Sequence, residues 1–454
     1  MFMSNIEREK IMKDKLIEIL LTVAEGLQTN KYMNAIKNGF TALLPIIIGG
    51  AFFTLILNVV LSTTTTGISL AKVSGMAWLS KLTPMFTAAN YATLQFFAIG
   101  LVFLIAVELG KHYGHSETIL PVVVLSCYIV LCATTATGLS STKEVVTISN
   151  VLARNFTNAQ GLFMGMITAI VSTEIYVKLT DSKKLEIRMP ETVPSNVAKA
   201  FNVLFPAIAT IIIVAAFGQI FQQVVGYTFY DAIAKWIQAP LAGILTGLPG
   251  YLVIFFISTL LWTVGIHGTQ VLKPVYEATM LLALAQNTDA VTAGLVPHNI
   301  LNTVFVSSFT TITGAGVTGG LIIAIFLFSK RQDYKAIATL SIAPGMFNIN
   351  ETMTFGLPIV LNPILAIPFV IAPAVSATFA FYMTKIGFAA VMAYNVPWTT
   401  PPVLMAFLAT GGHVGTAIVQ GLCVLIAVAI YTPFVLISNR QATEEAALAQ
   451  EVTA

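Results

Sequence analysis

Long apolar runs recur along the whole chain, and they limit its fold more than any other feature. They cover residues 38–61, 91–110, 117–138, 159–179, 200–226, 249–266, 303–329, 364–386 and 412–435. Each is near or beyond the length that a helix needs to cross a bilayer core, roughly 20 residues. Only 9% of the 454 residues are charged, against roughly 25% in soluble domains. With 56% of its residues hydrophobic, a soluble fold of this length could not hide its apolar surface. The chain is therefore expected to be a polytopic membrane protein embedded in lipid. A net charge of +3 supplies no basic patch for nucleic acid, and the hydrophobicity excludes disorder.

Two apolar stretches are interrupted. Residues 249–286 break at Gly265-Ile266-His267-Gly268, and residues 341–361 break at Asn348-Ile349-Asn350-Glu351. Irregular backbone at membrane depth is tolerated only where protein covers it or where it lines a wet cavity. Both are expected to be broken or re-entrant elements.

Lysine and arginine set the orientation. They concentrate before the first span, in the 178–199 loop and at Lys330, Arg331 and Lys335, while the alternate loops are poorer. Those three segments are expected on the cytoplasmic side. With the N-terminus inside, five spans leave residue 227 outside, and 303–329 returns the chain alone. Residues 249–286 must then cross twice or enter and return, an independent argument for a hairpin at His267. An even number of crossings places the C-terminus inside as well.

Ile11, Leu16, Ile19, Leu20, Val23 and Leu27 alternate with charges before the first span and predict an amphipathic helix on the inner membrane face. Segment 228–245 reads similarly and bridges two halves. The expected organisation is a cytoplasmic segment 1–37, transmembrane halves 38–226 and 227–435, and a tail 436–454. The first 37 residues have no apolar core of a cleavable signal, so the first span is expected to act as its own insertion signal. Gly161/Gly165 and Gly316/Gly320 would allow close helix packing.

Intramembrane ionisable residues are costly and each is a functional hypothesis. Glu351 stands in a loop whose Gly and Pro neighbours free backbone groups, beside Asn348 and Asn350. Many donors and acceptors in one short loop suit a sugar, whose hydroxyls must be desolvated together; the alternative is a structural turn whose carboxylate caps a half-helix. His267 lies between Gly265 and Gly268, which allow a sharp turn and close approach to a ligand; the alternative is a satisfied core histidine. In Pro397-Trp398-Thr399-Thr400-Pro401-Pro402, prolines predict a rigid extended segment. Trp398 can face a sugar ring and Thr399 can bond its hydroxyls, or the tryptophan can be an interfacial anchor. Glu108, Lys111, His112, His115 and Glu117 read as a solvated cytoplasmic turn, and Glu174 as an interfacial or lysine-paired carboxylate. No phosphate-binding GxxxxGK[ST] loop occurs. The histidines lack metal spacing, and Cys127, Cys132 and Cys423 read as small hydrophobes. No cofactor or metal is expected.

These motifs resemble one family over nearly the whole chain. The matching residues are Asn38-Gly-Phe40, Leu44-Pro-Ile-Ile-Ile-Gly49, Ala159-Gln-Gly-Leu-Phe163, Ile187-Arg-Met-Pro190 with Val193-Pro194, Gly265-Ile-His-Gly268, Phe347-Asn-Ile-Asn-Glu351, Phe355-Gly-Leu-Pro358 and Pro397-Trp-Thr-Thr-Pro-Pro402. The chain resembles the enzyme IIC permease of the bacterial sugar phosphotransferase system, in its lactose/cellobiose/diacetylchitobiose family. One departure is Thr352, where that family usually has proline after the glutamate.

The resemblance implies an all-α polytopic membrane protein with about ten transmembrane helices, two re-entrant hairpins and interfacial amphipathic helices. It implies a homodimer in the bacterial inner membrane, joined through the N-terminal half, with sugar bound in the C-terminal half. His267, Gly268, Asn348, Asn350, Glu351, Trp398 and Thr399 are then the expected sugar contacts. Glu351 is also the expected catalytic group, accepting the proton of the hydroxyl that receives phosphate. The phosphoryl donor is expected to be a phosphocysteine on a separate cytoplasmic IIB protein. The expected substrate is a β-linked disaccharide, of the cellobiose or diacetylchitobiose type. The competing reading is an ion-coupled secondary sugar carrier using Glu351 as its proton site.

Overall fold

The apolar runs fold as helices. Seven helical stretches among the described residues are long and apolar enough to cross a membrane: Leu44–Leu61, Ala77–His112, Ala159–Asp181, Leu204–Val225, Thr303–Phe328, Ile364–Lys385 and Val414–Thr443. Helices Phe229–Leu245 and Leu248–Thr263 pass the same test when taken together across their break. The computed structural model describes Lys15, Glu18, Thr22, Glu25, Gly26 and residues 29–453 except 66, 140–143, 188–189, 191–192, 358 and 360–361. The predicted apolar face of the N-terminal amphipathic helix, Ile11 to Leu27, lies outside the described residues, as does Arg188 of the 178–199 loop.

Two apolar runs differ in the structure from the sequence reading. Apolar run 117–138 yields only the helix Ile119–Val130. The chain then enters an antiparallel hairpin, Thr135–Leu139 paired with Val145–Ser149, so the fold is not purely helical. Thr135 and Thr137 in the first strand, and Val145, Val146, Thr147 and Ile148 in the second, favour extended backbone. Run 303–329 is not one continuous helix either. Thr303–Phe305 continues as a wider turn to Thr310, the chain breaks, and a new helix runs Thr318–Phe328.

Two compact units divide the chain, one holding Thr29–Gly50 and Ala88–Gly243, the other Ala51–Thr87 and Ile244–Ala454. The first is built on Phe97–His112, whose Leu101, Val102, Ile105 and Leu109 are fully buried. Gly165 lets its helix reach Val102: a Cβ there would stand 2.8 Å from the valine side chain. Glu174 collects donors from three residues of this unit, with Lys31 Nζ at 3.0 Å, Tyr32 Oη at 3.0 Å and the Tyr113 hydroxyl. It is therefore paired with a lysine. Glu108 bonds Lys111 at 2.7 Å and Asn38 at 3.1 Å, and His115 faces Asp181 at 2.9 Å.

The second unit centres on Thr318–Phe328, packed between Gln332–Met346 and Val414–Thr453. Leu321, Ile325, Phe369, Ala372, Ala427 and Tyr431 form its fully buried middle. Gly320 makes that packing possible, since a Cβ would lie 2.5 Å from the Ala427 side chain. Asn362 starts the helix Pro363–Lys385 by accepting the N–H groups of Ile364 and Leu365, the usual remedy for orphan donors at a helix start.

Candidate functional site

Three helix breaks of the second unit build the site. At the first, Leu248–Thr263 ends, Gly265 takes the left-handed conformation at φ +83°, and Gly268–Thr292 begins. His267 caps the new helix. Its Nδ1 accepts the Gln270 N–H at 3.4 Å and lies 3.0 Å from the Thr269 hydroxyl. With Nδ1 an acceptor, the ring proton sits on Nε2. The ring also packs on Trp262, centroids 4.1 Å apart. Gly268 serves helix contact: a Cβ would come 1.9 Å from the Ser258 carbonyl oxygen.

At the second break, Gln332–Met346 ends at Phe347 and Glu351 opens the short helix Glu351–Gly356. Glu351 Oε1 lies 3.9 Å from His267 Nε2, with both side chains about half exposed. The two expected site residues thus meet although they stand on different helices.

The third break, Thr311–Val317, was not foreseen. Thr313 and Val317 adopt left-handed backbone at φ +58° and +53°, alongside Gly314 and Gly316. Such conformations are costly for non-glycine residues and persist only where surroundings enforce them. Here the second break enforces them. Asn348 Oδ1 accepts the Thr313 N–H at 2.6 Å, Asn350 Nδ2 donates to the Ala315 carbonyl at 2.7 Å, and Tyr431 Oη donates to the Gly316 carbonyl at 2.7 Å. Asn348 itself sits at φ +62°. The Gly314-Ala-Gly316 spacing was the available signal.

Asn348 also reaches the proline-rich loop, donating to the carbonyls of Trp398 and Thr400. That loop turns instead of running extended, because the Thr400 N–H bonds the Pro397 carbonyl at 2.9 Å. The Trp398 ring is left 40% exposed and Thr399 is partly exposed at the turn. Gln420 secures the loop's far end, accepting the Val403 and Ala406 N–H groups and donating to the Ser308 carbonyl. The side-chain amides of Asn348 and Asn350 are thus spent on the framework, whereas His267, Glu351 and Trp398 keep free surface.

Two further ionisable residues went unremarked in the sequence. Lys273 and Glu277 follow His267 on the same helix and are buried. Their signal was plain: opposite charges four apart inside an apolar stretch. Among the described residues, no group of three or more His, Cys, Asp and Glu side chains is placed to hold a metal ion.

Comparison with known proteins adds a family and several relatives. The family model described as "Phosphotransferase system, EIIC" matches residues 37–373. The chain is 30% identical to the lichenan permease IIC component of Bacillus subtilis, covering 95% of this chain and 94% of that one. It is 30% identical to the cellobiose-specific EIIC component of Geobacillus stearothermophilus over 96% and 95%. A lactose-specific EIICB component of Streptococcus mutans is 29% identical over 93% of this chain and 72% of its own length. The crystal structure of the transporter ChbC, the IIC component from the N,N'-diacetylchitobiose-specific phosphotransferase system, superposes with a TM-score of 0.85 at 31% identity, over 94% and 97% of the two chains.

Proposed function

Because the chain belongs to the phosphotransferase system EIIC family, a family of multi-pass membrane permeases, we propose that it binds a β-linked disaccharide and carries it inward as it is phosphorylated. Cellobiose and diacetylchitobiose are the leading substrates. The observation that carries this reading is the pairing of His267 Nε2 with Glu351 Oε1 at 3.9 Å. The gap is wide enough for a sugar hydroxyl to donate to the carboxylate and accept from the imidazole. The relatives named above share β-linked sugars as their named substrates, which supports the class.

The chemistry follows from the group types. Trp398 offers its exposed face to an apolar ring face, and Thr399 offers a hydroxyl. Asn348 and Asn350 act by holding the loops, and Gly268 by letting the His267 helix sit close to Ser258. Glu351 takes the hydroxyl proton during transfer, a step that needs in-line geometry and stabilisation of the phosphoryl charge. The phosphoryl group comes from a phosphocysteine of a cytoplasmic EIIB partner. Cys127, Cys132 and Cys423 are all buried and none can fill that role. The partner in this reading is a separate chain that docks at the cytoplasmic loops.

The finer topology is part of the same proposal. About ten spans, re-entrant hairpins at 264–267 and 347–350 and cytoplasmic termini draw support from the lysine and arginine distribution and from the helix breaks; a homodimer joined through residues 38–226 belongs to the same reading. An ion-coupled carrier finds no support in the family match. The test is equilibrium binding to the purified protein, followed by tryptophan fluorescence. Saturable binding of cellobiose, diacetylchitobiose or lactose is expected; binding of α-linked maltose alone would overturn the substrate class.

A further inference from the structure

Lys273 and Glu277 are the only buried side chains with formal charge among the described residues, each 9% exposed. They stand one turn apart on Gly268–Thr292, the helix that His267 caps. Among the described residues, neither makes a hydrogen bond or an ion pair within 4.0 Å. Their head-group atoms are also absent from the fully enclosed unpartnered polar atoms, so they keep a little contact with the surface. Buried charge without a close partner is costly, and in a membrane protein it is retained for a task.

The reaction proposed above leaves one charge unmet. A phosphoryl group brings about two negative charges at neutral pH to a site whose nearest ionisable groups are the Glu351 carboxylate and a histidine. Enzymes that move phosphoryl groups place fixed cations against the developing charge. Every other described lysine and arginine of this unit is partly or fully exposed. Lys273 stands six residues after His267, within the first two turns of the helix that His267 caps. Helical side chains lean toward the N-terminus of their helix, which brings its ammonium back toward the His267 end.

Resting on the phosphotransfer reading, we propose that Lys273 is the phosphoryl-binding cation of this site and Glu277 its counter-charge when the site holds no phosphate. In the step itself, the sugar hydroxyl oxygen attacks phosphorus and the new P–O bond forms as the S–P bond of the partner's phosphocysteine breaks. The S–P electron pair leaves on sulfur as thiolate, and the hydroxyl proton goes to Glu351. Lys273 stays protonated and makes no covalent bond. It meets the phosphoryl oxygens during transfer and holds the product until release.

The test uses the full-length protein in proteoliposomes. It compares affinity for a disaccharide that the wild type binds with affinity for its phosphate monoester, and measures transfer from phosphorylated EIIB. Lys273→Gln should leave sugar affinity within about twofold, weaken the phosphate ester at least tenfold and slow transfer at least a hundredfold. Lys273→Arg should restore most of each. Because removing one charge strands the other, the Lys273→Gln/Glu277→Gln pair is measured as well and should show the same selective loss. Equal weakening of sugar and phosphate ester in the double variant would overturn the assignment, as would undiminished binding of the ester. If the wild type makes no phosphosugar at all, the functional reading falls and takes Lys273 with it. If wild type and Lys273→Gln are equally active, Lys273 falls alone.

Discussion

His267 presents Nε2 to Oε1 of Glu351 across 3.9 Å, and each residue reaches that position through a helix break. The Nδ1 atom is committed to capping Gly268–Thr292, so the proton faces the carboxylate. The pair is a donor and an acceptor held at a separation that a single hydroxyl can bridge. Removing the acceptor should therefore affect transfer more than binding. Glu351→Gln is expected to lower phosphosugar formation by about 10²–10⁴-fold while disaccharide still binds. Rapid-quench assays with phosphorylated EIIB measure this, and transfer at the wild-type rate would refute the role.

His267→Phe keeps a ring against Trp262 but deletes the donor and the cap. One neutral hydrogen bond is worth about 0.5–1.5 kcal/mol, so disaccharide affinity should weaken by roughly 2–10-fold. Titration by tryptophan fluorescence checks it.

Asn348→Leu tests the framework. The variant orphans the Thr313 N–H and releases the carbonyls of Trp398 and Thr400. Each unsatisfied buried group costs about 1–3 kcal/mol, so unfolding in detergent should move to lower temperature. Sugar affinity should fall with it as the Trp398 loop loosens. Unchanged stability would show that the breaks do not depend on this amide.

How far the site could be read from sequence depended on what each residue does. Glu351, His267 and Trp398 were legible because charge, imidazole and an aromatic ring stand out against apolar sequence beside Gly and Pro. Asn348 and Asn350 stood out as polar residues of the loop, but their partners, Thr313 and Ala315, could not be inferred. Those partners offer backbone groups, and every residue has them. The Thr311–Val317 break stayed hidden because Ile312, Val317 and their neighbours keep the hydropathy of a span while φ reverses sign at four positions. Likewise the Thr135–Leu139 hairpin extended an apolar run whose threonines favour strands. Spans such as Leu204–Val225 were legible because lipid demands uniform apolarity and little else.

Gly268→Ala should disrupt the site through packing. The added methyl would collide with the Ser258 carbonyl at 1.9 Å, and overpacking typically costs about 1–3 kcal/mol. Gly243→Ala is the matched control, since nothing lies within 4 Å of its Cβ position. Thermal unfolding of both should show loss only at position 268.

Lys31 gives a pH dependence. Its hydrogen bond with the Tyr113 hydroxyl, followed by that with the Glu174 carboxylate, raises the ammonium above its ordinary value. A raised value on folding means stability that is fully present below the unfolded pKa, about 10.4, and lost as pH climbs through the folded one. The melting difference between wild type and Lys31→Met should be small and constant from pH 6 to 9, and should close only above about pH 10.4. A difference that closes near neutrality would contradict the pairing.

The most direct test of the account is uptake of labelled cellobiose and diacetylchitobiose into vesicles carrying this protein, with and without phosphoenolpyruvate and the soluble phosphotransferase proteins. The account predicts phosphorylated disaccharide inside, appearing only when phosphoenolpyruvate and EIIB are present, and its absence in Glu351→Gln. Free sugar accumulating under a proton gradient, with no requirement for phosphoenolpyruvate, would contradict it and make Glu351 a coupling site.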